Sequence, residues 1–351
     1  MFKKEIISLN FYAKRTTFAI DKSLSEYIKF IEMKYYFAPL QGYTDSTFRE
    51  IHAKHFSGVD AYYTPFCRVE KGDVRWHDRK DLQPERNSLL RGQNRLVPQI
   101  IANTAEEVDV LVSRLIEMDY HRIDVNFGCP FPMIAKKQKG AGILSSPVMV
   151  ENVLSALKKY DSCDFSVKMR LGMNEENEWE ALIPLLNASN LKQITLHARI
   201  GKEQYKGEMH YEAFANFMKQ CEIPLVFNGD IVDLPSYLSV YEKYPSINGV
   251  MIGRGLLQNP FLIEEIVSGS VVPTNEKVKR LKSFMSDLTD GYGNVMNGGE
   301  LQLVQKLTSF WEYLLPELDH RSRKKILKSR KLSDYQSNVE EALRKYKMDM
   351  E

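Results

Sequence analysis

The sequence predicts an α/β fold, a (β/α)8 TIM barrel followed by a small all-helical C-terminal domain, and three observations carry that expectation. From Tyr35 onward, short β-branched or aromatic runs alternate with longer segments of helical spacing. Eight such runs fit within the roughly 250 residues usual for this barrel. Polar residues collect at the C-terminal end of each run, which is where a barrel builds a site. A doubly wound parallel sheet is the alternative. The 351 residues leave room for one large domain and a small one.

Residues 1–32 mix Lys3, Lys4, Lys14 and Arg15 with hydroxyl and acidic residues and show no clear period. Met33-Lys34 directly precedes the first convincing strand, so 1–32 reads as an N-terminal extension upstream of the natural start. A transit peptide fits less well, because Glu5, Asp21, Glu26 and Glu32 are out of place in one. Strands are expected at Tyr35–Ala38, Val59–Thr64, Val97–Ala102, Arg122–Asn126, Phe165–Arg170, Gln193–His197, Pro224–Asn228 and Gly249–Ile252. Helices are expected between them, including Ala105–Met118 with Thr104 as N-cap, Val148–Tyr160 after Pro147, and Tyr211–Cys221. The barrel domain is thus 33–267 and 268–275 a linker. In 276–351 the segments Val278–Leu288, Leu301–Leu315 and Arg323–Lys347 have helical spacing with no strand-like runs between them.

A hydrophobic fraction of 43% with 27% charged residues excludes wholesale disorder. A net charge of +2 excludes a protein that coats nucleic acid everywhere, yet allows a local basic patch. One such cluster is Arg321, Arg323, Lys324, Lys325, Lys328, Arg330 and Lys331, readable as a phosphate-facing surface or as a solvated helix face. The four cysteines, Cys67, Cys129, Cys163 and Cys221, form no C-x-x-C pair, so neither a metal site nor a disulfide framework is expected. No apolar run approaches the length of a membrane span. A cytoplasmic, monomeric protein is the expectation.

The strand ends carry the chemistry. They present Pro39-Leu40-Gln41-Gly42, Thr64-Pro65, Gln99, Asn126 with Cys129, Lys168 with Arg170, His197 with Arg199, Asn228-Gly229-Asp230, and Gly253-Arg254-Gly255. The last two turns fall where barrels bind phosphate, because glycine lets backbone N–H groups approach an anion and Arg254 adds charge. No G-x-G-x-x-G follows a strand, so a Rossmann nicotinamide site is not indicated. Lys168 alternates with Val167 and Met169 and should point into the barrel, where it needs an anionic partner. A reduced flavin ring is one such partner, with Gln99 and His197 near the same edge; a Schiff-base lysine is the alternative. Cys129 lies between Gly128 and Pro130 on a loop stiffened by Pro130 and Pro132, which suits either a buried structural thiol or a reactive group held still.

Seven segments together resemble the tRNA-dihydrouridine synthase family. They are Ala38-Pro39-Leu40-Gln41-Gly42-Tyr43-Thr44-Asp45, Asp124-Val125-Asn126-Phe127-Gly128-Cys129-Pro130, Gly140-Ala141-Gly142, Val167-Lys168-Met169-Arg170-Leu171-Gly172, His197-Ala198-Arg199, Asn228-Gly229-Asp230-Ile231, and Gly253-Arg254-Gly255 with Asn259-Pro260. The resemblance runs from about Tyr35 to Pro260. It departs from the family at Leu40, where methionine is usual, and at Ile200-Gly201, where a threonine is more typical.

That resemblance implies a flavin-containing barrel with a helical domain that helps hold tRNA. The implied cofactor is FMN, reduced by NAD(P)H and contacted by Pro39, Leu40, Gln41, Gln99, Lys168, His197, Asn228, Gly229, Asp230, Gly253 and Arg254. The implied reaction reduces a tRNA uridine to dihydrouridine, with hydride passing from flavin N5 to C6 and a proton from Cys129 to C5. As an acid, Cys129 should stay protonated at neutral pH, unlike an activated thiolate. Asn126, Arg170 and Arg199 are then expected on the substrate, and Arg323, Lys324, Lys325 and Lys328 on the tRNA. A target base must leave its stack to reach such a pocket, which accounts for an RNA-holding domain. A flavin enzyme acting on free pyrimidines, and an RNA-binding barrel without catalysis, are the alternatives.

Overall fold

The computed structural model describes residues 33–350; the expected extension 1–32 lies outside them. Its main sheet is parallel throughout. The strands are β1 (Lys34–Phe37), β2 (Ala61–Tyr63), β5 (Leu96–Val97), β6 (Gln99–Ile100), β7 (Arg122–Phe127), β8 (Asp164–Gly172), β9 (Gln193–Ile200), β10 (Leu225–Asn228) and β11 (Gly249–Ile252). Their order is β5-β2-β1-β11-β10-β9-β8-β7-β6. Only Pro98 separates β5 from β6, so the ring closes through this one segment and the barrel has the expected eight strand positions. Pro98 has no N–H to give the ladder, which is why the expected strand Val97–Ala102 is split and shortened. Its carbonyl still accepts the Asp124 N–H at 2.9 Å.

Strand alternation decides what faces the lumen. In β7 the side chains of Ile123, Val125 and Phe127 are buried under the surrounding helices, while Asp124 and Asn126 point inward. In β8, Val167, Met169 and Leu171 pack outward, which leaves Ser166, Lys168 and Arg170 on the inner face. Apolar side chains fill another part of the lumen, where Tyr36, Ala38, Ala61, Tyr63, Val97, Val226 and Met251 form their own cluster.

The helices start where their caps put them. Asp45 accepts from Phe48 N at 3.1 Å to open Ser46–His55, and Thr104 accepts from Glu107 N at 3.3 Å to open Ala105–Glu117, as expected. A short antiparallel hairpin, β3 (Val69–Glu70) with β4 (Asp73–Val74), was not expected from the sequence. Two-residue strands carry no detectable alternation.

Beyond the barrel stand the helices Thr274–Val295, Gly299–Ser309, His320–Leu327 and Leu332–Met350. They pack directly on the barrel: Phe48 stacks on Phe310 with centroids 5.1 Å apart, and Tyr292 donates to Asp45 at 2.8 Å. The apolar core is continuous from Met33 to Tyr346. Lys277 and Glu265 form a buried ion pair at 2.8 Å across the junction, and Glu265 also accepts from Asn259 (2.6 Å) and Val272 N (3.0 Å). The segment expected to be a linker is therefore tied to the barrel. Among the described residues, no single helix is long and apolar enough to cross a membrane.

Candidate active site

A cavity of about 1280 Å³ opens at the C-terminal ends of the strands. A smaller one of about 430 Å³ lies at the opposite end, lined by Lys54, His55, Arg95 and Arg280, where barrel residues serve stability. The large cavity gathers every expected barrel residue except Arg199.

Its thiol is held by an amide. Asn126 Oδ1 accepts the N–H groups of Cys129 at 2.8 Å and Gly128 at 3.0 Å, so the strand end itself fixes the loop. On the far side, Ala141 N donates to the Cys129 carbonyl at 2.9 Å. Gly140 turns there at φ 60°, and a Cβ on it would sit 2.6 Å from that carbonyl oxygen, which leaves room only for glycine. Burial pushes the Cys129 thiol pKa up, so it is a neutral acid at pH 7.

Behind Asn126 runs a buried chain in which Gln99, expected on the flavin, is joined by Asp124 and Ser166, for which the sequence suggested no role. Asn126 Nδ2 donates to Gln99 Oε1 at 2.7 Å, Gln99 Nε2 donates to Asp124 Oδ2 at 2.7 Å, and Ser166 Oγ donates to Asp124 Oδ1 at 2.6 Å. Gln99, Asp124 and Ser166 are register neighbours on adjacent strands, so the row follows from strand pairing. Burial raises the Asp124 pKa to about 6 against the pull of these hydrogen bonds. The signal available in the sequence was the i, i+2 spacing of Asp124 and Asn126, which puts both on one face.

The cavity is electropositive. Burial, then Arg170, lowers the Lys168 pKa to about 8. Burial, then the same Arg170 and Lys168, holds His197 well below its usual value, so its ring is neutral. Among the described residues, His197 Nε2 is buried with no hydrogen-bond partner. Arg170 donates to the carbonyls of Gly128 (3.0 Å) and Ile200 (2.9 Å), bracing the thiol loop, and lies 5.5 Å from the Tyr205 ring centroid.

The two glycine turns form one wall. Asn228 Nδ2 ties β10 to the Met251 carbonyl at 2.7 Å, so its side chain shapes the turn. Gly229 has φ 136°, and a Cβ there would meet Met209 at 2.3 Å. Asp230 follows with φ 41°, its carboxylate gripped by Arg199 and by Arg254 at 2.9 Å. The Arg199 hydrogen bond is the chief reason the Asp230 pKa is lowered. Pro39, Leu40 and Gln41 line the cavity from the end of β1, where Leu40 N donates to Thr44 Oγ1 at 2.9 Å.

Two residues expected on the substrate are engaged by the protein itself. Arg199 is buried away from the cavity, with its guanidinium engaged by Asp230 and by the Gly207 carbonyl at 2.6 Å. Arg323 turns inward and donates to the carbonyls of Trp311, Leu314 and Leu315, which fixes the turn that carries Tyr313 to the cavity. Lys325 pairs with Glu341 at 2.8 Å, whereas Lys324 and Lys328 are exposed.

A family model described as dihydrouridine synthase matches residues 36–346. A probable tRNA-dihydrouridine synthase of Staphylococcus aureus strain Mu50 is 31% identical over 240 residues, covering 65% of this chain and 70% of that protein. The probable tRNA-dihydrouridine synthase 2 of Bacillus subtilis strain 168 is 28% identical over 233 residues, with the same coverage. Among solved structures, the old yellow enzyme from Trypanosoma cruzi superposes with a TM-score of 0.52 at 9% identity, covering 76% of this chain and 95% of that one, and shares the fold.

Proposed function

The chain belongs to the dihydrouridine synthase family of tRNA-modifying enzymes, and from that premise we propose that it binds FMN, takes electrons from NAD(P)H and reduces a uridine of tRNA to 5,6-dihydrouridine. The observation that carries the proposal is the Cys129 thiol, its loop fixed by Asn126 at the cavity that also holds Lys168 and His197.

The residues present fit FMN. Lys168 is a cation lining the cavity, and His197 Nε2 is a buried nitrogen among the described residues without a partner; both suit the polar edge of a flavin ring. The backbone of Gly229–Asp230 and of Gly253–Arg254 would take the phosphate, with Pro39, Leu40 and Gln41 against the ring. The chemistry that FMN supplies when bound and reduced is hydride transfer to C6 of the uracil.

The remaining work falls to side chains of this protein. Adding hydride at C6 leaves an enolate that must gain a proton at C5, and Cys129 is the acid placed to deliver it. Lys168 and Arg170 supply positive charge where the enolate oxygen develops. Asn126 has one Nδ2 hydrogen beyond the bond to Gln99, and that donor would serve the uracil edge. The rim carries exposed Phe131 and Met133, apolar surface that suits a base extruded from RNA.

The test is direct. The purified protein should carry FMN absorbance and, with NADPH or NADH, form dihydrouridine in tRNA taken from cells lacking it. Reduction of free uracil with no action on tRNA would replace this reading by the free-pyrimidine one.

A further inference from the structure

Two guanidinium groups reach the cavity from a side that the proposed reaction leaves unused. Arg68 and Arg75 flank the β3–β4 hairpin. Val69 pairs with Val74 and Glu70 with Asp73, and Arg75 N donates to the Arg68 carbonyl at 2.9 Å, so Arg68 and Arg75 are the next pair of the ladder. Side chains directly opposite in an antiparallel pair lie on one face with Cβ atoms about 5 Å apart, and like charges placed so repel. Both side chains line the cavity.

The carboxylate beside them is Asp78, which accepts from Arg68 N at 3.2 Å and lies 3.4 Å from Arg75 Nε. Two cations against one carboxylate leave the rim positive. Among the described residues, no acceptor is hydrogen-bonded to the Arg68 guanidinium or to the terminal nitrogens of Arg75. The other arginines nearby differ: Arg170 and Arg199 are bonded to carbonyls, and Arg199 and Arg254 to Asp230. Planar forks with open donors, paired on one face and turned to a cavity, match the oxygens of a phosphate group.

We propose that Arg68 and Arg75 form a phosphate subsite at the rim of the cavity, filled either by the 2′-phosphate of the reduced dinucleotide or by a backbone phosphate of the bound RNA. The two candidate sources rest on the function proposed above; the anion site itself does not. Arg68→Gln and Arg75→Gln holoenzymes should show KM raised about tenfold. A rise for NADPH but not NADH assigns the dinucleotide, whereas a rise for tRNA with either reductant assigns the RNA. A functioning wild type with all three KM values unchanged in the variants overturns the subsite. A second measurement needs no turnover: phenylglyoxal modification of the wild-type holoprotein, mapped by peptide mass with and without inorganic phosphate. Phosphate should protect Arg68 and Arg75, and equal modification in both samples overturns the subsite. A wild type inert toward tRNA whose Arg68 and Arg75 are still protected would instead reject the proposed function and keep the anion site.

Discussion

Asn126 Oδ1 accepts the Cys129 N–H at 2.8 Å, and its direction is set two residues away by Asp124. An ionised carboxylate only accepts, so Gln99 must present Nε2 to Asp124 and Oε1 to Asn126. Asn126 must then turn its own Nδ2 to Gln99, which leaves Oδ1 for the thiol loop. The buried acid orients both amides and thereby the loop that carries Cys129.

Replacing Asn126 with Ala removes the acceptor of the Gly128 and Cys129 N–H groups. Each donor left unpaired costs about 1–3 kcal/mol, less whatever water recovers at the half-buried Cys129. The urea midpoint should fall, and alkylation of Cys129 should speed up as the loop loosens. Unchanged values of both would contradict the role given to Asn126.

Lys168 gives the site a pH dependence with a definite sign. With its pKa lowered from 10.5 to about 8, the amine is charged below that pH and neutral above it. Affinity for FMN, followed by flavin fluorescence, should hold below the step and weaken as pH rises through it. Lys168→Met should bind weakly at every pH and show no such step. A wild-type affinity that stays flat across the range would count against Lys168 as the anion's partner.

The junction between barrel and helices rests on Glu265 and Lys277, both buried. Removing one partner strands the other charge, and Glu265→Ala should destabilise the fold by about 3–5 kcal/mol in urea unfolding. Pairing Glu265→Ala with Lys277→Met should recover part of that loss. A single variant as stable as the wild type would show that the pair is not a buried one in solution.

Lys324 and Lys328 are two of the exposed members of the basic cluster on the helical region. Exchanging both for Gln should weaken tRNA binding and flatten its dependence on salt, since each phosphate contact contributes to the slope. Equal affinity at low and high salt would remove this face from the tRNA surface.

Much of this site was legible in the sequence because a parallel barrel brings strand ends together whatever their separation along the chain. Gln99, Asn126, Lys168, His197 and the turns at Gly229 and Gly253 could be placed in one cavity from strand alternation alone. The direction of long side chains could not. Arg199 and Arg323 sit where charge was expected, but Asp230 and the carbonyls of Trp311, Leu314 and Leu315 draw them inward, and those neighbours come from tertiary packing. The hairpin bearing Arg68 and Arg75 was hidden for a different reason: its strands are too short to show a period.

The central claim is that Cys129 delivers the proton. Single-turnover reduction of tRNA by flavin-loaded, pre-reduced Cys129→Ala measures it most directly. The variant should keep its flavin and lose uridine reduction by about 10²–10⁴-fold, the usual weight of a positioned acid. Reduction at the wild-type rate would show that the proton comes from elsewhere.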